Sequence, residues 1–152
     1  MFTKTSERFE AIEECYEFML AYAAQGLPRD EGSESGRQVR EFLKRAVGAL
    51  GGLAESCAIT MQEENLERGG RLEAFLDVLD RDARDSLAAM ELVLAQPAIS
   101  SQLIDNLNAS IHLRALLTDV FLLGEVLRTQ RATEKLEKPI DPDGVSLVGR
   151  IS

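Results

Sequence analysis

The stretch Pro97–Gln130, which reads PAISSQLIDNLNASIHLRALLTDVFLLGEVLRTQ, decides the fold class because it is long, apolar and helical in its spacing. After its first residue it contains no proline and a single glycine, Gly124. At about 100° per residue, its apolar side chains fall on two separate sides of a helix. One side serves the core of the domain. The other needs a partner, which we expect to be a second copy of the chain.

This second apolar side predicts a symmetric homodimer built on the last helix. Arg114 and Glu125 lie along one boundary between the two sides, and Asp105, His112 and Asp119 lie along the other. The residues predicted for the dimer interface are Ile104, Ile111, Ala115, Leu122 and Val126.

Three more helices are predicted before this stretch. Apolar residues recur at helical spacing over Ser6–Gln25, over Arg37–Arg68 and from Leu72 to Leu94. Glycine or proline follows each of these segments, as is typical of helix ends. Short connections after the second and third helices favour antiparallel neighbours. We therefore predict an all-α fold, namely an antiparallel four-helix bundle formed by residues 1–130 as a single domain.

Several segments interrupt this helical pattern. The stretch Leu27–Gly36 combines structure breakers with few apolar residues, so we expect an exposed, mobile loop. Gly48, Gly51 and Gly52 predict either a bend in the second helix or the close approach of another backbone. Residues 131–152 are predicted to form a short, largely non-helical tail, in which TEKLEK extends the last helix by a turn or two before Pro139 stops it.

Composition limits the classes of function. The 152 residues are 45% hydrophobic and 28% charged, with a net charge of −9, and this balance argues against binding to a nucleic-acid backbone. No apolar segment has the length of a signal core or a membrane span, so we expect a cytoplasmic protein that does not enter membranes. The two cysteines, Cys15 and Cys57, match neither a disulfide framework nor a zinc pattern and are interpreted as small buried hydrophobes.

The first helix carries an acidic stripe formed by Glu10, Glu13, Glu14 and Glu17. Their spacing of i, i+3, i+4 and i+7 places all four on one helix face without an interleaved lysine. A solvated surface is the plain interpretation, and a docking surface for a basic protein is the functional one. A straight helix face does not surround a metal ion, so no metal site is predicted here.

His112 is the only histidine, and with Asn108 four residues earlier it forms the candidate polar site. A lone histidine cannot build a carboxylate-bridged di-iron centre, which needs two Glu-x-x-His motifs. Phosphotransfer domains do use a single histidine on a four-helix bundle. Their usual lysine and glycine, three and four residues after the histidine, are replaced here by Ala115 and Leu116.

No catalytic, cofactor-binding or metal-binding residues are therefore predicted. The sequence favours a non-enzymatic interaction or regulatory protein that acts through protein contacts as a homodimer. One alternative is a binder of a small molecule or cofactor in an inter-helix pocket near Gly48–Gly52. The other alternative is histidine phosphotransfer through His112.

Overall fold

A computed structural model of the chain describes residues 4–66 and 70–137, and within these ranges it contains helices and their connections but no β-strand. The predicted all-α fold is thereby confirmed. None of the helices in the described ranges combines the length and apolarity needed to cross a membrane. In chain order the helices are α1 (Thr5–Ala24), α2 (Glu34–Leu50), α3 (Leu53–Glu63), α4 (Gly70–Leu94), α5 (Ser101–Ala109) and α6 (Ile111–Glu137).

The first and third predicted helices match α1 and α4 closely. The second was predicted as one helix and is two in the structure. The chain is not helical through Gly51 and Gly52, so α2 and α3 are separate helices. Gly52 has a φ of 73°, in the left-handed region that a residue without a Cβ adopts at little cost. The glycines thus end one helix and begin another, as the interruption in the pattern indicated.

The fourth predicted helix is also divided, because α5 ends at Ala109 and α6 begins at Ile111. Ser110, between them, has an extended backbone with a ψ of 144°. Its hydroxyl accepts a hydrogen bond from the Leu113 N–H at 3.3 Å, which caps α6. Ser100 caps α5 in the same way, accepting from the Leu103 N–H. Helix α5 therefore begins at Ser101, four residues after Pro97.

The core is shared by all six helices of the described chain. Helix α1 packs against α2, α3 and α5, while α4 packs against α2, α3, α5 and α6. Cys15 and Cys57 belong to this core, and both are free thiols. The largest fully buried side chains are Ile12, Met19, Tyr22, Leu43, Leu50, Leu53, Met61, Leu79, Met90, Ile99, Ile104 and Leu113.

The predicted loop over Leu27–Gly36 is largely exposed, as expected, but it is shorter than predicted because α2 begins at Glu34, and it contains buried polar anchors. Asp30 is 9% exposed and binds the Arg40 side chain, while Ser33 caps α2 by accepting from the Gly36 N–H. Gly36 itself is buried against the Asp30 backbone. The low content of apolar residues did not reveal these anchors, because they are polar groups that bind one another and, through Asp30, the distant Ile99 N–H.

Helix α6 continues beyond Gln130 to Glu137, so residues 133–137 of the segment expected to extend it are helical. Residues 138–152 lie outside the described part of the chain, and with them the rest of the predicted non-helical tail.

Candidate functional site

Among the residues predicted for the dimer interface, the most exposed side chains lie on the outward side of α6. Ile111 is 76% exposed and Leu122 is 50% exposed, while Ala115 and Val126 are partly buried. Phe121 is 55% exposed, but its helical position lies on the other side of the boundary marked by Arg114 and Glu125. We name the surface formed by Ile111, Ala115, Leu122 and Val126 the α6 outer face.

Ile104 does not belong to this face and corrects the interface prediction. It is 0% exposed and lies in the core, on α5 rather than α6. The prediction carried one helical phase through Pro97–Gln130. The extended backbone at Ser110 breaks that phase, so positions before it rotate relative to those after it.

A shallow apolar groove lies beside the α6 outer face, between the beginning of α4 and the second half of α6. Its volume is about 320 Å³. Leu122 and Val126 contribute to both the groove and the outer face, so the two apolar surfaces are continuous. The groove is lined by Arg71, Leu72, Phe75, Leu122, Leu123, Val126 and Gln130.

The structure separates the two members of the candidate polar site. Asn108 is buried, and its side-chain amide donates to the Met19 carbonyl at 3.1 Å. His112 follows the break at Ser110 and is exposed, with Nδ1 at 4.0 Å from a carboxylate oxygen of Asp85 on α4. Asn108 and His112 belong to different helices, and each side chain contacts another partner. The predicted contact between them is therefore not observed.

The acidic stripe on α1 is partly covered by α2. Glu14 binds Arg45 of α2, whereas Glu10 and Glu17 are exposed. Burial, together with the negative charges of Glu17 and Glu10, raises the pKa of Glu13. The stripe therefore keeps a repulsive acidic character at its exposed positions and is neutralised at Glu14.

The backbone near Gly48–Gly52 is occupied by a side chain of the protein itself. The Arg8 guanidinium donates to the carbonyls of Ala49 at 3.0 Å and Gly51 at 2.8 Å, with a longer bond to Gly48. These are carbonyls that the end of α2 leaves without helical partners. Arg8 thus satisfies the polar atoms that a ligand over this bare backbone would have used.

Neither cysteine has the surroundings of a reactive thiol. Both are 0% exposed, and burial raises the pKa of each thiol to about 12. A thiolate is the nucleophilic form and the form that binds metals, so burial suppresses both kinds of chemistry. Within residues 4–66 and 70–137, no three histidine, cysteine or acidic side chains are grouped so as to hold a metal ion.

Sequence reasoning missed a contact between two acidic side chains, Asp82 on α4 and Asp119 on α6. Asp119 is 6% exposed, and its carboxyl lies close enough to that of Asp82 for a hydrogen bond when one of the two groups is protonated. The sequence placed Asp119 at the boundary of an apolar face and assigned no role to Asp82. It held no signal that tertiary packing would bring them together.

Comparison with known proteins does not identify a relative. The sequence matches no protein-family model, and neither a curated protein nor a solved structure is detectably similar to it. Function must therefore be argued from the surfaces and side chains described above.

Proposed function

We propose that this protein is a non-enzymatic interaction protein that forms a homodimer through the α6 outer face. The observation that carries this proposal is the exposure of Ile111 and Leu122 on one face of α6, beside an apolar groove. Single exposed apolar residues are common on protein surfaces, but a continuous apolar surface is typical of an interaction site. The adjoining groove enlarges that surface.

Charge favours a second copy of the chain as the occupant of this face. Each copy carries a net charge of −9, so most of its surface repels another copy. The exposed charged side chains along this face are Arg114 and Glu125, since Asp119 in the same span is buried, and Glu125 is paired with Arg128. The outer face is therefore a place where two acidic molecules can approach with little repulsion between carboxylates.

The spacing along α6 fits an isologous interface. Ile111 and Leu122 are eleven residues apart, about three helical turns, and so point in nearly the same direction. When two α6 helices run in opposite directions, Ile111 of each copy packs against Leu122 of the other. Ala115 and Thr118 then lie at the centre, where small side chains allow the helices to approach closely.

The same proposal includes the four-helix arrangement as the scaffold of the dimer. This arrangement has four members because α2 and α3 together count as one interrupted helix, and α5 and α6 together count as another. Antiparallel packing is supported by two contacts: Asp85 lies beside His112, while the earlier Asp82 meets the later Asp119. A cytoplasmic location fits the two free thiols, because reducing compartments preserve them.

The exposed part of the acidic stripe is the second surface in this proposal, suited to a basic protein segment. It lies on α1, which packs against α2, α3 and α5, so dimerisation through α6 leaves it available. A small-molecule site near Gly48–Gly52 is less well supported, because Arg8 occupies those carbonyls. Phosphotransfer through His112 is also less well supported, because the nearby Asp85 carboxylate repels a phosphoryl group.

The oligomeric state tests the proposal. Sedimentation equilibrium of the wild-type protein should give the mass of a dimer, and Ile111→Glu and Leu122→Lys should each give monomers. Mixing the two variants should restore a heterodimer, because the new glutamate and lysine face each other in the isologous register. Leu20→Glu, at a 47% exposed leucine on α1, is the matched control and should remain dimeric.

Two results would contradict the proposal. One is a wild-type protein that stays monomeric over the whole accessible concentration range. The other is a set of variants that dimerise as well as Leu20→Glu does, which would move the interface away from α6.

A further inference from the structure

The contact between Asp82 and Asp119 is unusual because two acidic side chains meet where α4 packs on α6. Asp119 is more than nine-tenths buried, and its Oδ2 atom is inaccessible to solvent with no hydrogen-bond donor in the described chain. A buried carboxylate without a partner is costly, and a second carboxylate beside it increases that cost. A proton held between the two groups removes one charge and provides a hydrogen bond.

We propose that Asp82 and Asp119 share one proton near neutral pH, and that losing this proton loosens the packing of α6 against α4. The pair then stabilises the contact between these two helices in a pH-dependent way. This inference does not rest on the proposed dimer, because it concerns the inner side of α6 within one copy.

The charged groups near Asp82 and Asp119 face other partners or solvent. On α4, Asp85 lies about one turn beyond Asp82 and faces His112 of α6 at 4.0 Å. On α5, which also packs on α6, Asp105 is exposed to solvent. No cation from these helices is bonded to Asp119. Farther along α6, Arg131 binds Glu64 from the end of α3.

The direction of the titration follows from these surroundings. Burial, followed by the hydrogen bond and the negative charge of Asp82, raises the pKa of Asp119 from 3.8 to about 7. The folded protein therefore holds a proton that the unfolded chain releases in the range between these values. The stability that this proton provides is complete below about 3.8 and is lost as the pH rises through about 7.

The experiment compares wild-type protein, Asp119→Asn and Asp82→Asn, with Asp77→Asn as an exposed control on α4. Urea unfolding is followed at about pH 5.5 and about pH 8.5, on either side of the raised pKa. Between these values the unfolding constant of wild-type protein and of Asp77→Asn should increase on the order of tenfold. Asp119→Asn should lack this increase, because its amide does not ionise. Asp82→Asn should show a smaller increase than wild-type protein, because Asp119 stays buried but loses the neighbouring carboxylate.

A direct measurement of the proton and of the helix contact completes the test. The carboxyl carbon of Asp119 should titrate near neutral pH in NMR spectra, and Asp82→Asn should shift that titration to lower pH. Amide hydrogen exchange in α6 should accelerate above neutral pH, after correction for the intrinsic pH dependence of exchange. It should do so in wild-type protein and not in Asp119→Asn.

Three results would overturn the inference. The first is a wild-type pH profile that coincides with that of Asp119→Asn. The second is an Asp119 carboxyl that titrates near its ordinary value. The third is a loss of stability at high pH that calcium or magnesium reverses and chelation restores, since the pair would then hold a cation in place of a proton.

Discussion

The Arg40 guanidinium binds the buried Asp30 carboxylate at the point where two connections between helices meet. Asp30 also accepts a hydrogen bond of 2.7 Å from the Ile99 N–H, in the segment that leads into α5. Arg40 donates as well to the carbonyls of Leu94, the last residue of α4, and of Gln96 beyond it. One ion pair therefore joins the α1–α2 connection to the α4–α5 connection.

Replacing Asp30 with asparagine should destabilise the protein. Asparagine keeps the shape and an acceptor for Ile99 but leaves Arg40 without its counter-charge. Breaking a fully buried ion pair costs roughly 3–5 kcal/mol, and the partial exposure of Arg40 reduces the expected loss to about 2–3 kcal/mol. Urea unfolding at neutral pH measures this loss of stability, with Asp77→Asn as the exposed control. A loss no larger than that of the control would contradict the structural role of the pair.

The same ion pair predicts a weakening in acid. Burial raises the pKa of Asp30, but hydrogen bonds from Arg40 and Ile99 and the positive charge of Arg40 outweigh it, so the pKa falls below 3.8. The stability that Asp30 provides is therefore present above 3.8 and is lost as the pH falls through the lowered value. Wild-type protein and Asp30→Asn should converge in unfolding free energy in this acidic range. A gap that stays constant down to low pH would show that the charge is not responsible.

Two glycine-to-alanine changes should have opposite effects. A Cβ at Gly36 would lie 1.9 Å from the Asp30 carbonyl oxygen, so Gly36→Ala must displace the backbone of the loop. We expect a loss of about 3 kcal/mol or more, at the upper end of overpacking effects. Gly124→Ala meets nothing within 4 Å inside α6 and should stabilise the protein by about 0.5–1 kcal/mol. Thermal unfolding of both variants checks this contrast, which equal shifts of the same sign would refute.

Removing the Arg8 side-chain donors should destabilise the connection between α2 and α3. Arg8→Met keeps most of the apolar stem but leaves the carbonyls of Ala49 and Gly51 without their donor, at a cost of about 1–3 kcal/mol. Arg8→Lys should retain part of this stability. The control is Arg45→Met, which removes a partly exposed ion pair with Glu14 and should cost at most about 1 kcal/mol. Equal losses in the two methionine variants would argue against a capping role for Arg8.

Much of the helical content could be predicted because it depends on local patterns. The apolar spacing of α1 and α4 predicted their extents to within a few residues, and the glycines at 51 and 52 marked a real interruption. Ile111 and Leu122, which the sequence pattern assigned to the second apolar side, are exposed on the last helix. Within a single uninterrupted helix, the sequence position alone sets the direction of a side chain.

What only the tertiary structure decided is where distant polar groups meet and how interrupted helices are oriented. A single extended residue, Ser110, moved Ile104 from the predicted interface into the core and separated Asn108 from His112. Asp82 and Asp119 come together across two helices, as do Asp30 and Arg40 across a loop. These outcomes depend on contacts between residues far apart in sequence. Local periodicity determines the helices of this protein but carries no information about which of their polar side chains become neighbours.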